Sequence, residues 1–226
     1  SLFICHNNLS LEMAKKVLSI GRRNGVELID VTRMLPKNLR KCQKKNSWWK
    51  YALPRMDHNR YEILVDNDVV LWKIPPTVLR GIRDGALVAL TDAGGRFYGD
   101  LSDKIREADP ELTLNAGLLG MPPGFCPNFD LLEGVTLRDW FHSEQGFTAM
   151  NFILHQGPKY LVPLDEVQQL NIHRIPPEEL LSSYSGGHFC GCLYGHYDFW
   201  EKSYGPIVRR KYLEVPAYAL FDDRHS

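Results

Sequence analysis

The stretch Tyr61–Val70, YEILVDNDVV, decides the predicted fold class. Its first half, Tyr61–Val65, has the composition of a buried strand and ends abruptly in Asp66, Asn67 and Asp68. In open α/β sheets, ligands bind at the carboxyl ends of the strands, which is where these two carboxylates stand. Because side chains two positions apart in an extended chain lie on the same side, Asp66 and Asp68 can approach one divalent cation. An acidic turn is the simpler alternative, since Asp and Asn favour turns.

Predicted strands and helices alternate along the rest of the chain. Two predicted strands, Leu2–Cys5 and Val26–Val31, enclose a helix capped by Ser10, and this β-α-β opening favours a parallel sheet. The alternation predicts one α/β domain without an internal linker. Further along, the apolar pattern predicts the strand Ala86–Leu90, the helix Leu101–Ala108, the apolar run Leu118–Met121, one or two helices in Leu137–His155 interrupted near Gly146, and the strand Tyr160–Pro163.

The composition argues against several classes of protein. The 27 basic and 27 acidic side chains leave no net charge, so we expect no nucleic-acid partner. No run approaches the roughly 18 apolar residues of a membrane-spanning helix. The cysteines are odd in number and irregularly spaced, which fits a reducing compartment and predicts a cytoplasmic protein, with peripheral membrane association left open. They are Cys5, Cys42, Cys126, Cys190 and Cys192.

The segment His188–His196, HFCGCLYGH, contains two His and two Cys, which are the ligand types of zinc sites. Cys190 and Cys192 are separated by one residue, whereas structural zinc sites usually have two to four residues between such cysteines. Buried free thiols that pack as small apolar groups are therefore the favoured interpretation, with a zinc-stabilised interaction domain as an alternative.

The stretch Lys37–Lys50 is basic and contains Trp48 and Trp49. The simplest interpretation is a solvated, partly helical face whose aromatic rings lie in the core, because the whole chain lacks a positive excess. Contact with RNA or a membrane surface, and a mobile cover over a nucleotide diphosphate, are alternatives.

Asp66-Asn67-Asp68 resembles the DxD motif of glycosyltransferases with the GT-A fold. Further landmarks resemble motifs of glycosyltransferase family eight and occur in the expected order. They are Lys50–Arg55 before the acidic pair, Leu114–Leu119 (LNAGLL), Ser143–Asn151 (SEQGFTAMN) and Gly187–Gly191 (GHFCG). The resemblance implies a single GT-A (Rossmann-like) domain over residues 1–226, with a mixed, mainly parallel central sheet flanked by helices. It also implies that residues 186–226 close over the donor site.

The resemblance implies a site for manganese or magnesium, with Asp66, Asp68 and His188 as ligands. Hard oxygen ligands with one imidazole suit these ions. It also implies that Asp66, Asn67, Arg55 and Lys50 contact the nucleotide. The lysine that follows the His-x-x-Gly segment in the family is absent, and Lys202 is a candidate substitute.

Other residues are implied for the sugar. Asn115 and Ala116 would contact the donor sugar, with Ala116 in place of the family's serine. Glu144 and Gln145 would be the catalytic pair under the sugar, although Gly146 replaces a further acidic residue, so which of the two lies nearer stays open. Asp92, at the end of the Ala86–Thr91 strand, is either another donor-sugar contact or a turn residue before two glycines.

The activity implied is that of a hexosyltransferase. It would move a sugar from a nucleotide sugar, with UDP-sugar as the family's usual donor, to a glycan, protein or lipid-linked acceptor, with retention of configuration. A non-catalytic module that binds a sugar nucleotide or glycan is the alternative on the same fold. The sequence leaves the sugar, the acceptor and the oligomeric state open.

Overall fold

The computed structural model describes residues 2–6, 10, 12, 15, 26–31, 34, 37–42, 46–51, 55–170, 175–190 and 200–208. The chain divides into two compact units, with Ser1–Pro54 in one and Arg55–Val215 in the other. In the ranges described, no helix is long and apolar enough to cross a membrane.

The amino-terminal unit contains a two-stranded parallel sheet. Its strands are β1 (Leu2–His6) and β2 (Val26–Asp30), which confirms the predicted parallel opening. Two 3-10 helices follow, Lys37–Cys42 and Asn46–Tyr51, and the side chain of Trp48 is fully buried. The predicted burial of aromatic rings in this basic stretch is therefore confirmed for Trp48.

The second unit alternates strands and helices from Arg55 onward. Its strands are β3 (Glu62–Val65), β4 (Val69–Leu71), β5 (Leu87–Thr91), β6 (Leu114–Met121), β7 (Lys159–Val162), β8 (Val167–Gln169) and β9 (Gly186–His188). Its α-helices are α1 (Pro76–Asp84), α2 (Ser102–Ala108), α3 (Trp140–Leu154), α4 (Pro177–Ser183) and α5 (Gly205–Val208). Short helical turns occupy Gly99–Leu101, Phe129–Leu132 and Trp200–Tyr204.

Two mixed sheets organise this unit. The first has the strand order β3-β6-β5-β7, and β6 runs against the other three strands, which share one direction. The second has the order β4-β9-β8, with β4 antiparallel to β9 and β8 parallel to it. The prediction of an α/β fold with a mixed sheet flanked by helices is confirmed. The expectation of a mainly parallel sheet is not, because two of the three strand pairings in the first sheet are antiparallel.

The sheets are held by two apolar clusters. All eight residues of β6 are buried, which requires cover on both faces, and α1 and α3 each contact this strand. One cluster joins α1 to the sheets through Val69, Val78, Ala86, Val88, Leu90, Leu118, Val162 and Val167. The other contains Trp72, Leu170, Leu180, Leu181, Phe189, Tyr204 and Val208. Phe189 and Tyr204 in this cluster pack edge to face. Part of the segment 186–226, which is predicted to close over the donor, therefore belongs to the hydrophobic core.

Two predicted boundaries are corrected. The interruption expected near Gly146 is absent, because α3 continues from Trp140 to Leu154 with Asp139 as its amino-terminal cap. Consequently Glu144 and Gln145 lie within the helix rather than at its start. The short apolar run Leu118–Met121 is the second half of the longer strand β6.

Candidate functional site

The acidic sequence Asp66-Asn67-Asp68 forms the turn between β3 and β4. The backbone N–H of Asp66 donates to Gly117 O at 2.8 Å, and the N–H of Phe189 donates to Asp68 O at 2.8 Å. These two hydrogen bonds fix the turn to β6 on one side and to the end of β9 on the other. The stretch is therefore an acidic turn at the end of a strand, and its role as a cation site stays a prediction.

Strand β9 brings His188 to the acidic turn from 120 residues further along the chain. Val69 in β4 pairs with His188 in β9, so Asp68 and the imidazole are neighbours. His188 Nε2 lies 3.5 Å from Asp68 Oδ1, with side chains 8% and 20% exposed. A buried imidazole next to a half-buried carboxylate offers two potential metal ligands on rigid backbone.

The pairing between β5 and β6 changes register beside this site. Ala89 of β5 pairs with Leu119, but the next residue, Leu90, pairs with Asn115, so three residues of β6 are left out of that pairing. Bulges of this kind re-aim side chains and are common beside active sites. The residues left out include Gly117, above which His188 lies: a Cβ at position 117 would be 2.7 Å from His188 Cε1.

Asp92 connects β5, β6 and α3. Its Oδ1 accepts the N–H of Gly94 at 2.7 Å, as expected for a turn residue. Its Oδ2 accepts from Asn115 Nδ2 at 3.3 Å and from Gln145 Nε2 at 3.2 Å. Asn115 in turn accepts the N–H of Gly117 through Oδ1 at 2.8 Å. A continuous line of polar contacts therefore runs from Gln145 through Asp92 and Asn115 to the glycine beneath His188.

Glu144 and Gln145 have different surroundings. Glu144 is buried in α3, where the hydroxyl of Thr148 donates to its backbone oxygen at 3.1 Å and lies 3.5 Å from Oε1. Gln145 is half-buried and donates to both Asp92 Oδ2 and the carbonyl of Phe97, each at 3.2 Å. Of the two side chains, Gln145 is the one that joins the polar line to Asn115.

Gly146 is explained by the packing of α3. A Cβ at this position would approach the carbonyl oxygen of Tyr98 to 2.3 Å. A side chain at this position would not fit without moving the helix. Glycine at position 146 therefore reflects a close approach between α3 and the segment at Tyr98.

Two of the three predicted metal ligands, Asp68 and His188, are placed so that they could bind one small divalent cation. Ligand atoms at neighbouring positions around such an ion lie about 3 Å apart, close to the 3.5 Å between Asp68 Oδ1 and His188 Nε2. Within the described ranges, no group of three or more His, Cys, Asp or Glu side chains is assembled to hold a metal. Asp68 and His188 are therefore brought together as a pair, and the ligand role of Asp66 stays a prediction.

The other predicted nucleotide contacts are placed differently. Arg55 is buried at the opposite end of β3 from Asp66, where it pairs with Glu62 at 3.2 Å and donates to the carbonyls of Pro122, Phe125, Asp57 and Arg60. This arrangement is structural and does not bring Arg55 to the acidic turn. Asn67 is exposed in the turn, and Ala116 is buried in the irregular part of β6. Lys50 belongs to the amino-terminal unit, and Lys202 is exposed in the turn Trp200–Tyr204.

The zinc alternative gains little from Cys190. Gln169 Nε2 donates to its sulfur at 3.3 Å, and burial raises the pKa of the thiol well above its ordinary value. A zinc ligand must be a thiolate, and burial in the absence of a cation favours the protonated thiol. The remaining members of the proposed set, Cys192 and His196, lie outside the described residues.

Two residues near the site were not predicted from the sequence. Gln169 ends β8 and accepts the N–H of Ala93 at 2.6 Å, which fixes the turn that follows Asp92. Phe97 is half-exposed and presents its carbonyl to Gln145. Neither belongs to a local motif, and only the folded chain brings them to Asp92.

No family model matches the chain, and no curated protein matches it. Among solved structures, the crystal structure of mouse xyloside xylosyltransferase 1 in its apo form is similar to this chain. The match has 13% sequence identity, covers 84% of each chain and has a TM-score of 0.45. A similarity at this level leaves the function to be argued from the residues themselves.

Proposed function

We propose that this protein is a metal-dependent glycosyltransferase of the GT-A type, which transfers a hexosyl group from a nucleotide sugar to an acceptor hydroxyl. The donor proposed is a UDP-sugar, the usual donor of the family that the motifs resemble. The cation proposed is manganese or magnesium, held by Asp68 and His188 with Asp66 as a further ligand.

One observation carries the proposal. The motifs around Asp68, Asn115, Gln145 and His188 are far apart in the sequence, yet their side chains meet along one line of contacts in the fold. Asp68 touches His188, His188 covers Gly117, and Asn115 and Gln145 both bind Asp92. This convergence of the four predicted positions supports the proposal.

Each residue has a role that its surroundings support. A divalent cation bound at Asp68 would stabilise the negative charge of the departing diphosphate. His188 is held over Gly117 by β9, so its Nε2 is pre-positioned beside Asp68 rather than recruited from solvent. Asp92, Asn115 and Gln145 form an array of carboxylate and amide groups suited to sugar hydroxyls.

Retention of configuration is part of the proposal because it is the outcome in the family that the motifs resemble. An inverting enzyme needs a carboxylate near the acceptor as general base. An inverting reaction at this site would use Asp92, the carboxylate that Gln145 contacts. Glu144 is buried against Thr148, while the side chain directed at Asp92 is Gln145, an amide that does not take up a proton at neutral pH. In a retaining reaction the oxygen of Gln145 would instead stabilise positive charge on the sugar ring.

The test is release of nucleoside diphosphate from a panel of nucleotide sugars, with manganese and with a chelator. We expect manganese-dependent release by the wild type and its loss in Asp68→Ala. Asp103→Ala is the matched control, because this carboxylate on α2 is 95% exposed and pairs only with its neighbour Arg106 among the contacts described. Manganese-dependent UDP binding without turnover would support the non-catalytic binding module instead. Release that does not depend on manganese, or that persists in Asp68→Ala, would contradict the proposal.

A further inference from the structure

Phe97 has a half-exposed ring, and its backbone contacts the polar line of the candidate site. It lies in the segment between β5 and the helical turn Gly99–Leu101, and 51% of the residue is accessible to solvent. Its own carbonyl accepts a hydrogen bond from Gln145 Nε2, the same group that donates to Asp92. The ring is therefore tied by its backbone to the groups proposed to bind sugar hydroxyls.

This ring is held in place rather than free to turn away. The ring lies close to Gly95, where a Cβ would be 3.4 Å from Phe97 Cε2. It is also tilted against the imidazole of His142, with 5.5 Å between ring centroids and 32° between ring planes. His142 is itself fixed, because its Nδ1 lies 2.7 Å from Asp139 Oδ2 at the start of α3. Two rings thus form a rigid, half-exposed surface.

An aromatic surface next to carboxylate and amide groups has the chemistry that recognises a saccharide. The apolar C–H face of a sugar ring packs on an aromatic face, while its hydroxyls bind polar groups at the edge. We infer that Phe97 and His142 form the acceptor platform of this protein and that the acceptor is a saccharide, rather than a peptide or a lipid headgroup. The acceptor role rests on the proposed function, whereas saccharide binding at Phe97 does not.

The platform also suits its position in the reaction. Gln145 and Asp92 lie between it and Asn115, so a saccharide on Phe97 would present hydroxyls toward the groups that hold the donor sugar. Binding that holds two reactants in the correct orientation accounts for much of the rate of group transfer. Phe97 would thus act as a positioning residue for the acceptor.

Saturation-transfer NMR tests the platform. The probes are lactose, maltose, xylobiose and methyl xyloside, each at about 10 mM, a concentration that reveals millimolar dissociation constants. Wild type, Phe97→Ala and Phe97→Trp are compared, with Ile74→Ala as a control for loss of an exposed apolar side chain elsewhere. Manganese-dependent UDP binding is measured on the same samples by calorimetry.

We expect at least one saccharide to bind the wild type and to receive saturation on its ring C–H protons. Its affinity should fall about tenfold in Phe97→Ala and be retained in Phe97→Trp and Ile74→Ala, with UDP affinity the same in all four. Equal saccharide binding by wild type and Phe97→Ala, or no binding of any probe by the wild type, would overturn the inference. Saccharide binding through Phe97 without any UDP binding would reject the proposed function and leave the saccharide site standing.

Discussion

The imidazole of His188 lies over the backbone of Gly117, so close that a single added carbon at position 117 would be 2.7 Å from His188 Cε1. Gly117 belongs to the part of β6 that is left out of pairing with β5. The absence of a side chain there is what allows β9 to bring His188 against Asp68. A glycine inside a strand often marks such a close approach.

We predict that Gly117→Ala weakens manganese-dependent UDP binding about tenfold, because the added methyl group displaces His188 from Asp68. The same methyl group overpacks a buried strand, which should lower the free energy of unfolding by about 1–3 kcal/mol. Calorimetry measures the first effect and urea denaturation the second.

Gly134→Ala is the control for this variant. Gly134 has a φ of +70°, so alanine strains the backbone there, but nothing lies within 4 Å of its added Cβ. It should lose stability while keeping the wild-type UDP affinity. If Gly117→Ala binds UDP as tightly as the wild type does, the position of His188 above Gly117 is not required for UDP binding.

Gln145 should matter for turnover more than Glu144 does. Gln145→Ala removes the hydrogen bonds to Asp92 and to the carbonyl of Phe97, and we expect kcat to fall about 100-fold with little change in UDP affinity. Glu144→Gln keeps the shape of a buried side chain and should leave kcat nearly unchanged. Steady-state kinetics that show the reverse order would return the catalytic role to Glu144.

Much of the fold could be predicted because its strands are short, apolar and bounded by polar residues. Glu62–Val65 and Leu87–Thr91 were found from sequence within a residue or two at each end. The helix Trp140–Leu154 was expected to break at Gly146 because glycine weakens isolated helices. The packing of this helix against Tyr98 and the sheet outweighs that preference. Such a long-range contact cannot be predicted from the spacing of residues in the sequence.

The site could be predicted only where a motif is local. The acidic pattern predicts Asp66 and Asp68, whereas Asn115 and His188 are predicted from their places in the resemblance. The registers that bring them together, Val69 opposite His188 and Leu90 opposite Asn115, depend on long-range pairing. The same limit applies to Arg55, for which the resemblance implies a nucleotide contact, whereas its partners in the fold are Glu62 and backbone carbonyls.

Gly146→Ala should destabilise the protein by about 1–3 kcal/mol, because its Cβ would meet the carbonyl oxygen of Tyr98 at 2.3 Å. Gly146→Asp should cost more, since a charged group would be buried as well. Urea denaturation measures both. Leu154→Ala, an exposed position on the same helix, should stay within about 0.5 kcal/mol of the wild type. A stable Gly146→Asp variant would refute this explanation of the glycine at position 146.

Cys190 should resist alkylation at pH 8. Burial raises the pKa of its thiol, so at that pH the thiolate fraction lies below that of an ordinary cysteine. Cys126 is exposed and should react faster with iodoacetamide, as followed by peptide mass spectrometry. A chelator should leave the Cys190 rate unchanged, whereas an increase on chelation would revive the zinc alternative.

Asp68 and His188 are proposed to hold together a cation that binds the nucleotide. Titration calorimetry of UDP, with manganese and with a chelator, tests this pair in the wild type, Asp68→Ala, His188→Ala and the control Asp103→Ala. We expect UDP affinity to require manganese in the wild type and Asp103→Ala, and to fall to the same extent in Asp68→Ala and His188→Ala. If UDP affinity in the wild type is independent of manganese, or is unchanged in His188→Ala, the two residues do not hold the cation.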